Sequence, residues 1–425
     1  MAAPQYFFTE TDSKLTSSSS RDPLGFEILW TQLGERLIPH FSTISVGATN
    51  FGVCLVLVWL VDSYLEQNRD RPFSDGEQWR HARDGLLIVA EALHAYSSLR
   101  VNGSREGILG GRKAARRLGN EGSPQISPFD SEALLVRQLA FGVYGRYRRA
   151  LASMDLLDDR GHLEDSAPVE PIVRSCPELT GLRDAAHAFF DRVRDADDHR
   201  VPLDVFEGFE QMAALRRHEV RRAFAPHLVE AADLADDSEK LVAHVYRALE
   251  LPYRGTSHAR DVFYALADSD ALSAVQRQQV LDVCRAEELL CRFEALFDSL
   301  WSGAIDYERA RPIIAEIRHR RDDLTVLGRR PKTSPVARRR LDVLAQVADR
   351  ESVDDFIRAL VRRYHRDTIA DYRNNAAWVT FEGDRVVILN NGYSPPSDPL
   401  DGPGWSRSYY LRSLASFKTE IEEVI

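Results

Sequence analysis

Apolar positions recur every three to four residues along most of this chain, the spacing of helices that bury one face. Phe26, Ile28, Leu29, Trp30, Leu33, Leu37 and Ile38 open the series after Asp22-Pro23, and Pro39 closes it. Ser45 is placed to cap the next run, VGATNFGVCLVLVWLV over 46–61. That run is short for a bilayer span, holds Asn50 and two glycines, and leads into Asp62, Glu66 and Arg69. It predicts a buried core helix rather than a membrane segment. Further helices are expected over 75–99 and 131–151, and in succession over 182–301. Leu289, Phe293, Leu296, Phe297 and Leu300 form the clearest stripe of that succession. The strongest single pattern covers 352–370, where Val353, Phe356, Ile357, Leu360, Val361, Tyr364 and Thr368 share a face and Arg358, Arg362 and Arg366 form a second row.

After residue 377 the period falls to two. Trp378-Val-Thr-Phe-Glu382 and Arg385-Val-Val-Ile-Leu389 flank Gly383-Asp384, which predicts a hairpin on a two-residue type II′ turn. In that register Glu382 faces Arg385, Phe381 faces Val386 and Trp378 faces Leu389. An isolated hairpin is unstable in water, so this one is expected to pack on a neighbouring helix. A closing helix is expected over 409–424. The fold class is therefore mainly α: multi-helix bundles with a small C-terminal β-hairpin, which leaves room for a winged-helix-like unit. Glycine and proline gather in 102–129, 159–181 and 326–336. They suggest a lead-in (1–22), an N-terminal helical domain (23–157), a linker (158–181), a central helical domain (182–325) and a helix-hairpin-helix unit (326–425).

Composition changes this picture little. A chain of 425 residues, 44% hydrophobic and 28% charged, can bury more than one core. A net charge of −10 argues against wholesale adhesion to nucleic acid or anionic lipid, though local basic runs escape that average. Cys54, Cys176, Cys284 and Cys291 have no Cys-x-x-Cys spacing and read as packed thiols in a reducing cytoplasm. The start of the chain lacks the basic and apolar regions of a signal peptide. A cytoplasmic location without membrane attachment is expected.

Candidate chemistry is sparse. Gly103-Ser-Arg-Glu-Gly107-Ile-Leu-Gly110-Gly111-Arg112-Lys113 suggests a phosphate loop, but Ala114 follows Lys113 where a P-loop needs a hydroxyl. No nucleotide, cofactor or small-molecule ligand is inferred. His81-Ala-Arg-Asp84 and His258-Ala-Arg-Asp261 repeat one tetrapeptide, and each would set an imidazole and a carboxylate on one helical face. If the two pairs converged they could hold a divalent metal. Asp197-Asp198-His199 carries no such geometry. Nucleophile elbows, zinc helices and dinucleotide fingerprints are missing from the sequence, so no catalytic residue is assigned. Basic clusters weigh more. Arg112, Lys113, Arg116 and Arg117 form one, and Arg146, Arg148 and Arg149 with Tyr144 and Tyr147 another. Arg318, Arg320, Arg321, Arg329, Arg330, Lys332, Arg338, Arg339 and Arg340 dominate 316–340. Guanidinium groups suit phosphate oxygens, which makes the first and third clusters candidate nucleic-acid contacts.

The chain resembles a group of uncharacterised, largely helical bacterial proteins found in phage-defence and restriction-type gene clusters. The residues that carry the resemblance are Arg21-Asp-Pro-Leu-Gly-Phe-Glu-Ile-Leu-Trp30 with Leu37-Ile-Pro39, and the glycines of 107–111. Phe141-Gly-Val-Tyr-Gly145 ahead of Leu156-Leu157, the Trp378 hairpin and Tyr409-Tyr-Leu-Arg-Ser-Leu414 complete the set. The resemblance implies a structural or targeting subunit beside a helicase, nuclease or modification enzyme, and transfers no catalytic residue. The leading expectation is thus a non-catalytic component that contacts DNA or a partner through basic surfaces. A metal-dependent enzyme using His81, Asp84, His258 and Asp261, and a pure protein-interaction scaffold, are the alternatives.

Overall fold

A computed structural model describes residues 22–38, 41, 47–70, 82–165, 167, 169–229, 241–370, 377–389, 393–401 and 404–422. It is mostly helical with a C-terminal hairpin, as the periodicity predicts, and has a second small antiparallel sheet that the periodicity does not. The chain divides into two compact units: residues to Leu37 with Arg254–Tyr409, and Ile38–Tyr253 with Tyr410 onward. Residues 158–181 fall inside the second unit, and 326–336 inside the first.

The first unit is built on the Ala274–Ser299 helix. Ser273 and Gln276 start it with a reciprocal capping box that satisfies two otherwise orphan amides. Val280, Val283, Leu289, Leu290, Phe293, Leu296 and Phe297 are buried along it, and Glu27–Leu37, Thr256–Ala267 and Tyr307–His319 pack around it. Arg321–Gly328 and Pro335–Ala348 pack on each other across the turn 329–334. Ser334 caps the latter helix by accepting from Ala337 N (3.2 Å), with Pro335 at its first position.

The helix expected over 352–370 begins as an α-helix, Val353–Ala359, and continues as a π-helix, Leu360–Ala370. The wider turn changes the buried face. Leu360, Tyr364, His365 and Ile369, four to five residues apart, point inward, and Thr368 does not. The buried His365 ring shows why the turn is held. Its Nε2 accepts from Trp378 N (2.8 Å) while Nδ1 lies 2.9 Å from Pro23 O, so Nδ1 carries the proton.

The hairpin forms in the expected register, with Glu382 opposite Arg385 and Phe381 opposite Val386, and Leu389 N donating to Trp378 O (2.7 Å). Gly383 takes φ 62 and Asp384 keeps a negative φ, as a type II′ turn requires. Arg358 anchors the hairpin to the preceding helix. It donates to Gly383 O (2.8 Å) and Asp384 Oδ1 (2.7 Å), and lies 4.8 Å from the Phe381 ring centre.

In the second unit Ala48–Gln67 is the central helix, packed by Ala82–Asn102, Val143–Ser153, His218–Val229 and Leu411–Glu422. It is long and apolar enough to cross a membrane, yet 72% of that apolar window is buried within the protein. The single helix expected over 131–151 is broken. Arg137 sits at φ 56, Gln138–Phe141 makes one turn, Gly142 is extended, and Val143–Ser153 starts afresh. The cause is the buried Glu91 on Ala82–Asn102. Its carboxylate accepts from Tyr144 N (2.6 Å) and from the Gln138 side-chain amide, capping the new helix from outside. A Cβ at Gly142 would strike that carboxylate. A two-residue pairing of Gln125–Ile126 with Val201–Pro202 has no counterpart in the sequence pattern, because strands so short show no period.

Candidate nucleic-acid interface

The basic residues singled out in the sequence divide into internal struts and exposed cations. On the Gly111–Glu121 helix, Lys113 donates to Ala133 O and Arg117 to Glu132 O (2.7 Å). Both clamp the turn at 130–137. Burial and the neighbouring Arg117 and Arg116 push the Lys113 amine down from its ordinary value. Arg112 and Arg116 stand exposed on the same helix. The glycines ahead of it are needed by the backbone. Gly107 and Gly110 take φ 67 and 76, and side chains there would meet Arg216 and Leu134. Tyr144 and Tyr147 are core residues, so neither offers Arg146, Arg148 or Arg149 an exposed ring for a base to stack on.

Over 316–340 the strut role is the commoner one. Arg318 donates to the main-chain carbonyls of Arg350, Glu351 (2.8 Å) and Ser352 (3.2 Å), just beyond the Pro335–Ala348 helix. Arg320 pairs with Glu288 and Asp323, Arg321 with Asp349 (2.5 Å), and Arg330 with the buried Asp282 (2.7 Å). The Arg338 Nε donates to Gly328 O (3.0 Å), closing the turn between the two helices, though its side chain is exposed overall. Arg340 is only 4% exposed and donates to Gly25 O (2.6 Å). That leaves Arg329, Lys332 and Arg339. They are exposed in the turn and in the first half of the following helix, with no ion pair among the described residues. Lys332 takes φ 64, which turns the chain at this point.

The metal alternative fares differently at each residue. His81 lies outside the described residues. Asp84 is in the first turn of Ala82–Asn102 in the second unit, whereas His258 and Asp261 belong to the first. His258 is turned inward, its Nδ1 accepting from Arg254 N (3.2 Å), while Asp261 is exposed. Among the described residues no three His, Cys, Asp or Glu side chains stand where they could hold a metal ion. All four cysteines are buried and unbridged.

One polar constellation is marked by no motif in the sequence. Glu287, Cys291, Glu294 and Asp298 line one side of Ala274–Ser299, and Tyr393, Ser406, Arg407 and Tyr409 approach them. Glu287, fully buried, accepts from Ser406 N (2.5 Å), Arg407 N (2.8 Å), Ser406 Oγ (3.1 Å) and Tyr409 Oη (2.6 Å). Arg407 approaches Glu294 (3.5 Å) and lies 3.7 Å from the Trp30 ring centre; Tyr393 Oη donates to Asp298 (3.1 Å). Burial pushes the Glu294 carboxyl up to about 8 against the pull of Arg407. Burial likewise raises Asp298 to about 6 against its hydrogen bond from Tyr393. Glu287 is saturated by the protein's own donors, whereas Glu294 and Asp298 are each met by one partner, Arg407 and Tyr393; together they fasten Tyr393 and residues 406–409 to the helix. Their spacing repeats that of the adjacent apolar stripe, a signal the sequence did contain.

No family model matches the chain, and no curated protein or solved structure matches it.

Proposed function

We propose that this chain is a non-catalytic, helical component of a nucleic-acid-directed system, and that its first unit contacts phosphate backbones through the turn at 329–339. The observation that carries the reading is the exposure of Arg329, Lys332 and Arg339 together, without acidic partners among the described residues, beside arginines that are otherwise consumed internally. Exposed cations release counterions from nucleic acid on binding, and a rigid helix-turn-helix frame presents them at little entropic cost. Arg112 and Arg116 give the second unit a smaller set of the same kind. The resemblance to phage-defence proteins favours a component that works beside a helicase, nuclease or modification enzyme and contributes binding rather than chemistry.

The test is a DNA titration at several salt concentrations with R329E/K332E/R339E. Arg340 is left intact, because its guanidinium is buried and its loss would unsettle the fold. The expected result is at least a tenfold loss of affinity, with a salt slope lowered by about 2 to 3, since each phosphate contact contributes about 0.9. Unchanged affinity would remove this surface from the reading.

A further inference from the structure

Asp298 lies in the last turn of the Ala274–Ser299 helix and is only 9% exposed, yet it makes no ion pair among the described residues. The one hydrogen bond it accepts from them comes from Tyr393 Oη (3.1 Å). The helix end adds its own negative partial charge to that carboxylate. Nearby charges do not offset it: Glu294 lies within the field of Asp298, Asp22 and Glu287, and Arg407 alone opposes these acids. The exposed residues next in the chain, Ser302, Gly303 and Ala304 beyond Trp301 and Ser394 beyond Tyr393, are uncharged.

Three aromatic rings stand beside this carboxylate. Trp301, one turn beyond Asp298, has its ring centre 5.0 Å from that of Tyr393 and 6.5 Å from that of Trp378, and Trp378 lies 5.3 Å from Tyr393. Their planes are inclined at 68°, 80° and 51°, so the rings meet like the inner corner of a box rather than as a stack. All three side chains are half-buried, which leaves part of each open to solvent. The Trp301 Nε1 is itself buried with no hydrogen-bond partner among the described residues.

A ring face carries negative potential, so inclined faces beside a carboxylate that lacks a cation favour a positive ligand. A primary ammonium keeps its water unless several acceptors replace it. Here the helix-end carbonyls of Leu296 and Ser299 already accept from the hydroxyls of Ser299 (2.8 Å) and Ser302 (2.9 Å). A methylated ammonium needs no such acceptors and meets the rings through its methyl groups. The unmatched Trp301 N–H calls for an oxygen acceptor on the same ligand.

We infer that Asp298, Trp301, Trp378 and Tyr393 form a binding site for a methylated ammonium group, with Trp301 Nε1 donating to a hydroxyl or carbonyl oxygen of the same ligand. Free choline-like compounds and methylated lysine side chains share that chemistry. The site is separate from the turn at 329–339 and takes the opposite charge.

The experiment titrates the full chain at about pH 8, where Asp298 is ionised. The probes are choline, its neutral carbon isostere dimethylbutanol, and a short peptide bearing trimethyllysine, with binding read by calorimetry. Choline or the peptide is expected to saturate the protein, and dimethylbutanol, which fills the same space without charge, to bind at least tenfold more weakly. That comparison uses the native chain and depends on no variant folding. Asp298→Asn, which keeps the side-chain shape and an acceptor for Tyr393, should weaken binding at least tenfold. Trp378→Leu should weaken it at least fivefold, and its main-chain bond to His365 is untouched by the change. Tighter binding of the peptide would assign the ligand to a modified protein, and tighter binding of choline to a free small cation. Saturation by none of the probes, equal affinity for choline and dimethylbutanol, or undiminished binding by Asp298→Asn would overturn the inference.

Discussion

The stretch 316–340 and the Ala274–Ser299 helix carry their charges in opposite ways. The arginine-rich stretch is conspicuous in sequence, with few acids to oppose it, yet Arg318, Arg320, Arg321, Arg330 and Arg340 are spent on carbonyls and carboxylates of the same unit. The Ala274–Ser299 helix has an ordinary amphipathic pattern, yet its buried Glu287 gathers donors from Ser406, Arg407 and Tyr409, and Glu294 and Asp298 on the same side take one each from Arg407 and Tyr393. Charge density along a chain therefore does not report surface potential. A guanidinium on a long stem finds a carbonyl within reach, whereas a short carboxylate on a buried helix face must be met by donors brought to it.

The largest expected effect lies on the quiet side of this comparison. Glu287→Ala leaves Ser406 N, Arg407 N and Tyr409 Oη buried without their acceptor. Unmet buried donors cost about 1–3 kcal/mol each, partly relieved by relaxation, so a loss of about 4 kcal/mol is expected in urea unfolding. Trp405, stacked on Phe263 at 5.6 Å, reports the event by fluorescence. Glu287→Gln keeps one acceptor and should lose about half as much. A Glu287→Ala midpoint close to that of the native chain would mean that the carboxylate does not fasten 405–409, and the contrast between the two stretches would collapse.

A pH titration sharpens the same point in the second unit. Glu91 is buried and makes no ion pair among the described residues. Burial raises its carboxyl from 4.5 to about 7, outweighing the hydrogen bonds from Tyr144 N, Gln138 and Val143 N that favour the charged form. An acid whose folded pKa is raised lends stability in its protonated form. That contribution is complete below about pH 4.5 and is lost as pH rises through about 7. At about 1.4 kcal/mol per unit, the protein should lose about 3 kcal/mol across that window. Glu91→Gln removes the ionisation, so the difference between variant and native stability should vary with pH there and level off on either side. A difference independent of pH would show that the hydrogen bonds, not burial, govern this carboxyl.

How much of this was legible follows from the range of each interaction. The hairpin register was readable because Gly383-Asp384 and its flanking alternation lie within a dozen residues. The buried stripe of Ala274–Ser299 and the apolar core helix at Ala48–Gln67 were readable from periodicity alone. The break at Gly142 was not, since the carboxylate that causes it sits on another helix. The π-helix was hidden because its first turn follows the α spacing and the change is held by His365 between Pro23 and Trp378. Likewise Arg339 and Arg340 are identical letters, and only the approach of Gly25 makes one a strut.

That adjacent pair gives the smallest expected effect and the narrowest test of the comparison. Arg339 is exposed and makes no ion pair among the described residues, so Arg339→Glu should shift the unfolding free energy by no more than about 0.5 kcal/mol. The reversed charge lies in the first half of the Pro335–Ala348 helix, where the helix dipole if anything favours a carboxylate. The variant should therefore match or slightly exceed native stability in the same urea series while changing DNA affinity. A destabilisation above about 1 kcal/mol would show that Arg339 is also consumed internally. The region 316–340 would then hold struts almost throughout, and the exposed remainder would be too small to bind a phosphate backbone.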